Sequence, residues 1–156
     1  MIAKKAFSPV KVLEQRAENK LFLLYKRKTM QSLLIISHGS RQAASNSEIL
    51  RLGQSLSEEL AASFPIVVSA FLEFYPDSIP NAISECIEKG ATSIKVLPYF
   101  LAAGVHVTDD IPKEISAACE SYQSLDIQIL PHVGSSKNMT GLINSMLTTA
   151  ETDHDI

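Results

Sequence analysis

No apolar stretch in this chain approaches the roughly 20 residues that a helix needs to cross a bilayer, so a soluble protein without a membrane span is expected. Cysteine is scarce. Cys86 and Cys119 are the only two, they lie far apart, and no Cys-x-x-Cys spacing occurs. That distribution argues against a thiolate metal site or a disulfide framework, and for free thiols buried in a reducing compartment. Past residue 29, arginine is confined to Arg41 and Arg51. A phosphate-gripping site uses several guanidinium groups, so a histidine phosphotransfer enzyme is disfavoured. The absence of a second basic patch or an aromatic platform likewise disfavours nucleic-acid binding.

What is present divides into unequal parts. With 156 residues and 46% hydrophobic content, the chain has enough apolar material for one sizeable core. The net charge of -3 conceals an asymmetry. Residues 1–29 carry eight Lys/Arg against Glu14 and Glu18, a balance of +6, whereas the remainder carries six basic and fifteen acidic residues, a balance of -9. A basic extension over 1–29, a single domain over 30–150 and a polar tail over 151–156 are therefore expected, with His154 a solvated residue of the tail. The extension has no secretory pattern, because the short Leu21–Tyr25 run leads into Lys26-Arg27-Lys28 without a small-residue cleavage site. Three readings of it remain: a helical or frayed appendage around Val12–Tyr25, coding sequence upstream of a start at Met30, or an organellar transit peptide. A cytoplasmic location follows from the first two and an organellar one from the third.

From Met30 onward, strand and helix signals alternate four times. Leu33–Ser37, Ile66–Leu72, Ser93–Pro98 and Ile127–Pro131 are short runs rich in Ile, Val and Leu, as expected for strands buried on both faces. Between and after them run helical stripes: Ile49, Leu52, Leu56 and Leu60; then Ile79, Ala82, Ile83, Cys86 and Ile87, stopped by Lys89-Gly90. Ile111, Ile115, Ala118, Cys119 and Tyr122 form a third stripe, and Met139, Leu142, Ile143, Met146 and Leu147 a fourth. A βαβαβαβα order implies right-handed crossovers, hence an α/β domain with a four-stranded parallel sheet and helices on both faces. A strand order 2-1-3-4 puts the topological switch between the first and third strands, at the carboxyl edge where open α/β sheets bind ligands.

The chemistry-bearing residues gather at that edge. Ser37-His38-Gly39-Ser40-Arg41 follows the first strand; its glycine permits close approach, and the amides of the next helix are expected to face the site. Arg41 is either a substrate-carboxylate contact or a solvated residue. Phe71-Leu72-Glu73-Phe74-Tyr75 sets a carboxylate in an apolar strand end, where an unpaired charge is costly, so Glu73 should face the cleft, a cation or a metal. Past the third strand, His106 precedes Pro112, a first-turn proline, which makes Asp109 and Asp110 N-cap or first-turn carboxylates by expectation. His132 follows the fourth strand without such a setting and is read as structural.

Taken together, Ser37-His38-Gly39-Ser40-Arg41, Phe71-Leu72-Glu73, the Leu97–Leu101 run, Gly104-x-His106-Val107-x-x-Asp110-Ile111-Pro112 and Val133-Gly134 resemble the small CbiX/SirB-type sirohydrochlorin chelatases, from about Leu33 to Leu147. The resemblance implies a chelatase-type, flavodoxin-like fold and a lyase that inserts Co2+ or Fe2+ into sirohydrochlorin for cobalamin or siroheme. It also implies a homodimer whose clefts face the partner. In that reading His38 and His106 bind the metal and accept protons, Glu73 is a third participant, and Ser40 and Arg41 contact the substrate. No cofactor beyond the metal substrate is implied, and no nucleic acid. Residues 1–29 lie outside the pattern.

Metal insertion requires stripping water from M2+ and removing two pyrrole protons, and imidazole serves both needs. Fe2+, Co2+ and Ni2+ all suit nitrogen ligands, so donor type leaves the metal open. A non-catalytic tetrapyrrole- or metal-binding module of the same fold is the alternative, although it gives no reason for a His-His-Glu set at one edge. The -9 body is a poor match for a polycarboxylate, and Arg41, helix amino-termini and the extension are each able to compensate.

Overall fold

The computed structural model describes residues 30–122 and 124–152. Four parallel strands, β1 (Gln31–Ser37), β2 (Ile66–Phe71), β3 (Ser93–Pro98) and β4 (Asp126–Ile129), stand in the order β2-β1-β3-β4. The expected topology and switch point are therefore present. Helices α1 (Ala43–Glu59), α2 (Ile79–Glu88), α3 (Ile111–Ser121) and α4 (Met139–Thr152) follow the four strands in turn.

One face of the sheet carries the main core. Leu34, Ile36, Val68, Ala70, Ile94 and Val96 meet Ile79, Ala82, Ile83 and Cys86 of α2 and Ile111 and Ile115 of α3, all of them buried. Each such Ile or Leu contributes roughly 1.5–3 kcal/mol by leaving water. Helix α2 stops where Lys89-Gly90 predicts. Gly90 takes φ +92, its amide donates to the Ile87 carbonyl at 2.8 Å, and the Ala91 amide donates to the Cys86 carbonyl at 2.9 Å, a Schellman closure. Burial pushes the Cys86 thiol pKa up, with a hydrogen bond to Ser32 partly opposing it. Both cysteines are free.

The opposite face is less complete. Helix α1 packs on β2, beside Ile35 and Ser69, yet Ile49, Leu52 and Leu56 remain only half-buried. The fourth stripe does form a helix, but it does not enter the core as expected. Leu142, Ile143, Met146 and Leu147 are 55%, 51%, 64% and 62% exposed, and α4 makes no substantial contact with another element among the described residues. Strand β4 is likewise not buried on both faces: it is an edge strand, with Asp126 and Gln128 exposed and Ile127 and Ile129 half-buried. Helix α4 continues to Thr152, past the expected start of the polar tail, while His154 and residues 1–29 fall outside the described residues. Among the described residues no helix is long and apolar enough to cross a membrane.

Pro98, fully buried at the end of β3, costs the ladder no bond. The Tyr99 amide donates to the Ile36 carbonyl of β1 at 2.7 Å, so the proline nitrogen points to the β4 side, where the last bond to β3 is that of the Leu130 amide to the Val96 carbonyl at 2.8 Å. The chain leaves the sheet there into the loop that carries His106.

Candidate active site

Three loops converge at the carboxyl edge, and backbone bonds hold two of them together. The β1–β2 ladder continues past the strands: the Leu72 amide donates to the Ser37 carbonyl at 3.1 Å and the Glu73 amide to the His38 carbonyl at 3.0 Å. Gly39 makes this approach possible. It has φ +88, and a Cβ at this position would lie 2.0 Å from the Glu73 carbonyl oxygen. Any side chain there would separate the two loops.

The β1–α1 turn is pinned from α1. Asn46, 3% exposed, accepts the Ser40 amide on Oδ1 at 2.9 Å and donates from Nδ2 to the Ser40 carbonyl at 2.8 Å. The Ser40 hydroxyl accepts the Gln42 amide at 3.1 Å. The amides of Ser40 and Gln42 are thus committed within the turn that precedes α1. Ser40 retains only its hydroxyl proton to offer a ligand. Asn46 was legible only as an oddity, since asparagine is a weak helix former in a first turn unless its side chain has a task.

From this frame His38, Glu73 and His106 project toward one another. One donor atom from each lies within 4.8 Å of the others, with His38 and Glu73 exposed and His106 half-buried. The two imidazole centroids are 4.8 Å apart, edge to face at 76°. Two imidazoles and a carboxylate form a donor set that suits Fe2+, Co2+ or Ni2+. Among the described residues this is the one such group of three or more His, Cys, Asp or Glu. Glu73 faces the cleft as expected, but its exposure means that solvent, rather than a mandatory cation, tolerates its charge. His132 and Asp109 stand outside the cluster.

His106 opens a π-helical turn, His106–Asp110, that leads directly into α3. Asp110 precedes α3 in a helical conformation, φ -68 and ψ -51, and its side chain caps no amide. This corrects its reading as an N-cap. Its Oδ2 instead lies 2.7 Å from His106 Nδ1. Pro112 occupies the first turn of α3, as expected.

A cavity of about 320 Å³ adjoins the cluster, lined by Glu73, His106, Asp110, Lys113 and Glu114 among others. Burial, and secondarily Asp110, pushes the Glu114 carboxyl pKa above its usual range. Lys113, in the first turn of α3, lines the cavity and supplies a cation that the sequence pattern did not single out. Across the rim, the Arg41 guanidinium lies 4.8 Å from the centroid of Phe74. Phe74 holds φ 58, a costly conformation for a bulky residue, and is 53% exposed. Tyr99, Leu101 and Val105, exposed as well, add apolar surface to the loop after β3 that carries His106.

The sequence and the fold both match known proteins. Residues 32–150 match the family model for CbiX. The sirohydrochlorin cobaltochelatase of Methanocaldococcus jannaschii is 40% identical over 84 residues, which are 54% of this chain and 57% of that protein. The sirohydrochlorin cobaltochelatase of Sulfolobus acidocaldarius is 30% identical over 114 residues, 73% of this chain and 87% of that one. Among solved structures, the sirohydrochlorin chelatase SirB of Bacillus subtilis subspecies spizizenii in complex with cobalt superposes with a TM-score of 0.69 at 27% identity. That match covers 76% of this chain and 50% of the Bacillus chain. Across the first relatives of known activity, the chain spans little more than half of their length or less.

Proposed function

The chain belongs to the CbiX family, and from that membership we propose that it is a lyase inserting Co2+ or Fe2+ into sirohydrochlorin, with Ni2+ as a further substrate. The observation that carries this reading is the convergence of His38, Glu73 and His106 donor atoms within 4.8 Å. His38 and His106 take the metal ion as it sheds water, and Glu73 joins them as a third ligand or as the base. Two pyrrole N–H bonds break, the ion exchanges its water ligands for bonds to all four ring nitrogens, and the two protons leave through an imidazole or the Glu73 carboxylate. The macrocycle lies against the apolar surface of Phe74, Tyr99, Leu101 and Val105. Arg41, Ser40 and Lys113 meet its carboxylates, which accounts for a polycarboxylate binding to an acidic body.

The working unit in this proposal is a homodimer. A domain of this size covers a large flat macrocycle on one side only, and a two-fold copy completes the enclosure. The exposed apolar face of α4 supports a second copy as the occupant. We place the protein in the cytoplasm, where Cys86 and Cys119 stay reduced, and assign residues 30–150 as the catalytic domain.

Anaerobic absorbance of sirohydrochlorin with Co2+ or Fe2+, with and without protein, tests the reading. Protein-dependent conversion to the metal complex is expected, and it should be largely lost in His38→Ala and in His106→Ala while circular dichroism stays normal. Binding of the macrocycle without faster metal insertion would instead identify a non-catalytic module.

A further inference from the structure

We propose that Asp110 is the positioning residue of this metal site, fixing the imidazole of His106 in the tautomer that leaves Nε2 free to take the ion. The proposal deepens the reading of His38, Glu73 and His106 as a metal-holding set and depends on it. A carboxylate just ahead of a helix ordinarily accepts that helix's first amides. Asp110 accepts none, and its backbone is already helical. The wide turn is the reason. The Ile111 amide bonds back to the His106 carbonyl, five residues earlier, so one extra residue is accommodated before α3. With the helix already running through Asp110, its i, i+4 spacing sets the carboxylate against His106, with Oδ2 at 2.7 Å from Nδ1.

The chemistry of the pair then follows from donor counting. A neutral imidazole has one N–H and one lone pair, and an ionised carboxylate only accepts. Nδ1 must therefore carry the proton, and the lone pair sits on Nε2. Asp110 is not itself one of the three groups whose donor atoms converge. Nor does stability account for the pair. The side chains of His106 and Asp110 are 34% and 44% exposed, and ion pairs so open to water add little to folding. Orientation of a metal-binding histidine through its second nitrogen, by contrast, commonly changes metal affinity by roughly 10- to 100-fold.

The test uses the full chain and Co2+ alone, without sirohydrochlorin, followed by titration calorimetry and visible absorbance. Asp110→Ala should bind Co2+ roughly 10- to 100-fold more weakly with an unchanged melting temperature. Asp110→Glu should recover part of the loss, and Asp110→Asn, whose N–H can hold the opposite tautomer, should fall at least as far as alanine. Nitrogen-15 NMR at a pH where the ring is neutral should place the His106 proton on Nδ1 in the wild type and on a mixture of both nitrogens in Asp110→Ala. Co2+ affinity within about threefold of wild type in a folded Asp110→Ala, or a wild-type proton on Nε2, overturns the proposal. If Asp110→Ala fails to fold, the wild-type tautomer and Asp110→Asn decide. A wild-type chain that binds no Co2+, or a His106→Ala that binds it normally, refutes the metal-site reading itself and is distinguishable from failure of the Asp110 role.

Discussion

Substituting Gly39 with alanine should damage both stability and chelation, and the structure sets the scale. At φ +88 the backbone is in a region that alanine enters at a cost of roughly 1–2 kcal/mol. The new Cβ would also meet the Glu73 carbonyl oxygen at 2.0 Å and the Phe71 Cβ at 3.3 Å. The first neighbour is backbone, so no rotamer change relieves the contact. Forced overpacking typically adds about 1–3 kcal/mol. The sum, about 2–5 kcal/mol, corresponds to a fall in melting temperature of roughly 8–20 °C at about 4 °C per kcal/mol for a domain of this size. Relief of the clash requires the His38 and Glu73 loops to part, lengthening the 3.0 Å bond between the Glu73 amide and the His38 carbonyl. Metal insertion should therefore drop at temperatures well below the melting point. Gly104→Ala is the control within the same edge: its Cβ would meet nothing within 4 Å, and both quantities should stay near wild type. Thermal circular dichroism and anaerobic chelation assays on the two variants check this. A Gly39→Ala protein melting within about 2 °C of wild type and inserting metal normally would refute the geometry described for the β1–α1 turn.

Light scattering on Leu142→Glu/Met146→Glu should show a shift from dimer to monomer, and an unchanged mass would remove α4 from the interface; a fully active wild-type monomer would remove the dimer altogether. Glu114 holds its proton to a higher pH in the folded state than in the unfolded state, because burial and then Asp110 disfavour its charge. Folding stability must fall as pH rises through that window and stay lowered above it, so Glu114→Gln should melt higher than wild type near neutral pH and show little difference near pH 4; a pH-independent gap would contradict the assignment. A chain beginning at Met30 should fold and retain most of its chelatase activity. If residues 1–29 instead neutralise substrate carboxylates, it should show a raised KM whose excess over the full chain shrinks with added salt, and failure to fold would show that the domain begins earlier than residue 30.

The sheet was legible because its signals are redundant. Ile-, Val- and Leu-rich runs recur at regular spacing, α2 ends at its Lys89-Gly90 stop, and the crossover rule leaves few topologies. His38, Glu73 and His106 were legible because each follows directly on an apolar run, and parallel strands bring all such positions to one edge. Packing was not legible in the same way. The stripe on α4 has the same periodicity as that on α2, and periodicity reports an apolar face without naming what covers it. For α2 the cover is β1, β2 and α3 of the same chain. For α4 the described residues supply none.

Asp110 shows a second kind of illegibility. At four residues from His106 and two before a proline, it satisfies both a capping pattern and an i, i+4 pairing, and sequence alone favours the commoner cap. The deciding fact is that the turn from His106 runs as helix through Asp110 into α3, so the carboxylate caps no amide and pairs with the histidine four residues back. Asn46 follows the same logic from the other loop: a polar side chain in a first helical turn reaches back to hold the backbone beside His38. Both imidazoles therefore stand on loops that are locked from the helix that follows them. That arrangement holds the backbone beside His38 and the ring of His106 in place while both rings stay open at the sheet edge, as the proposed reaction on a large planar substrate requires.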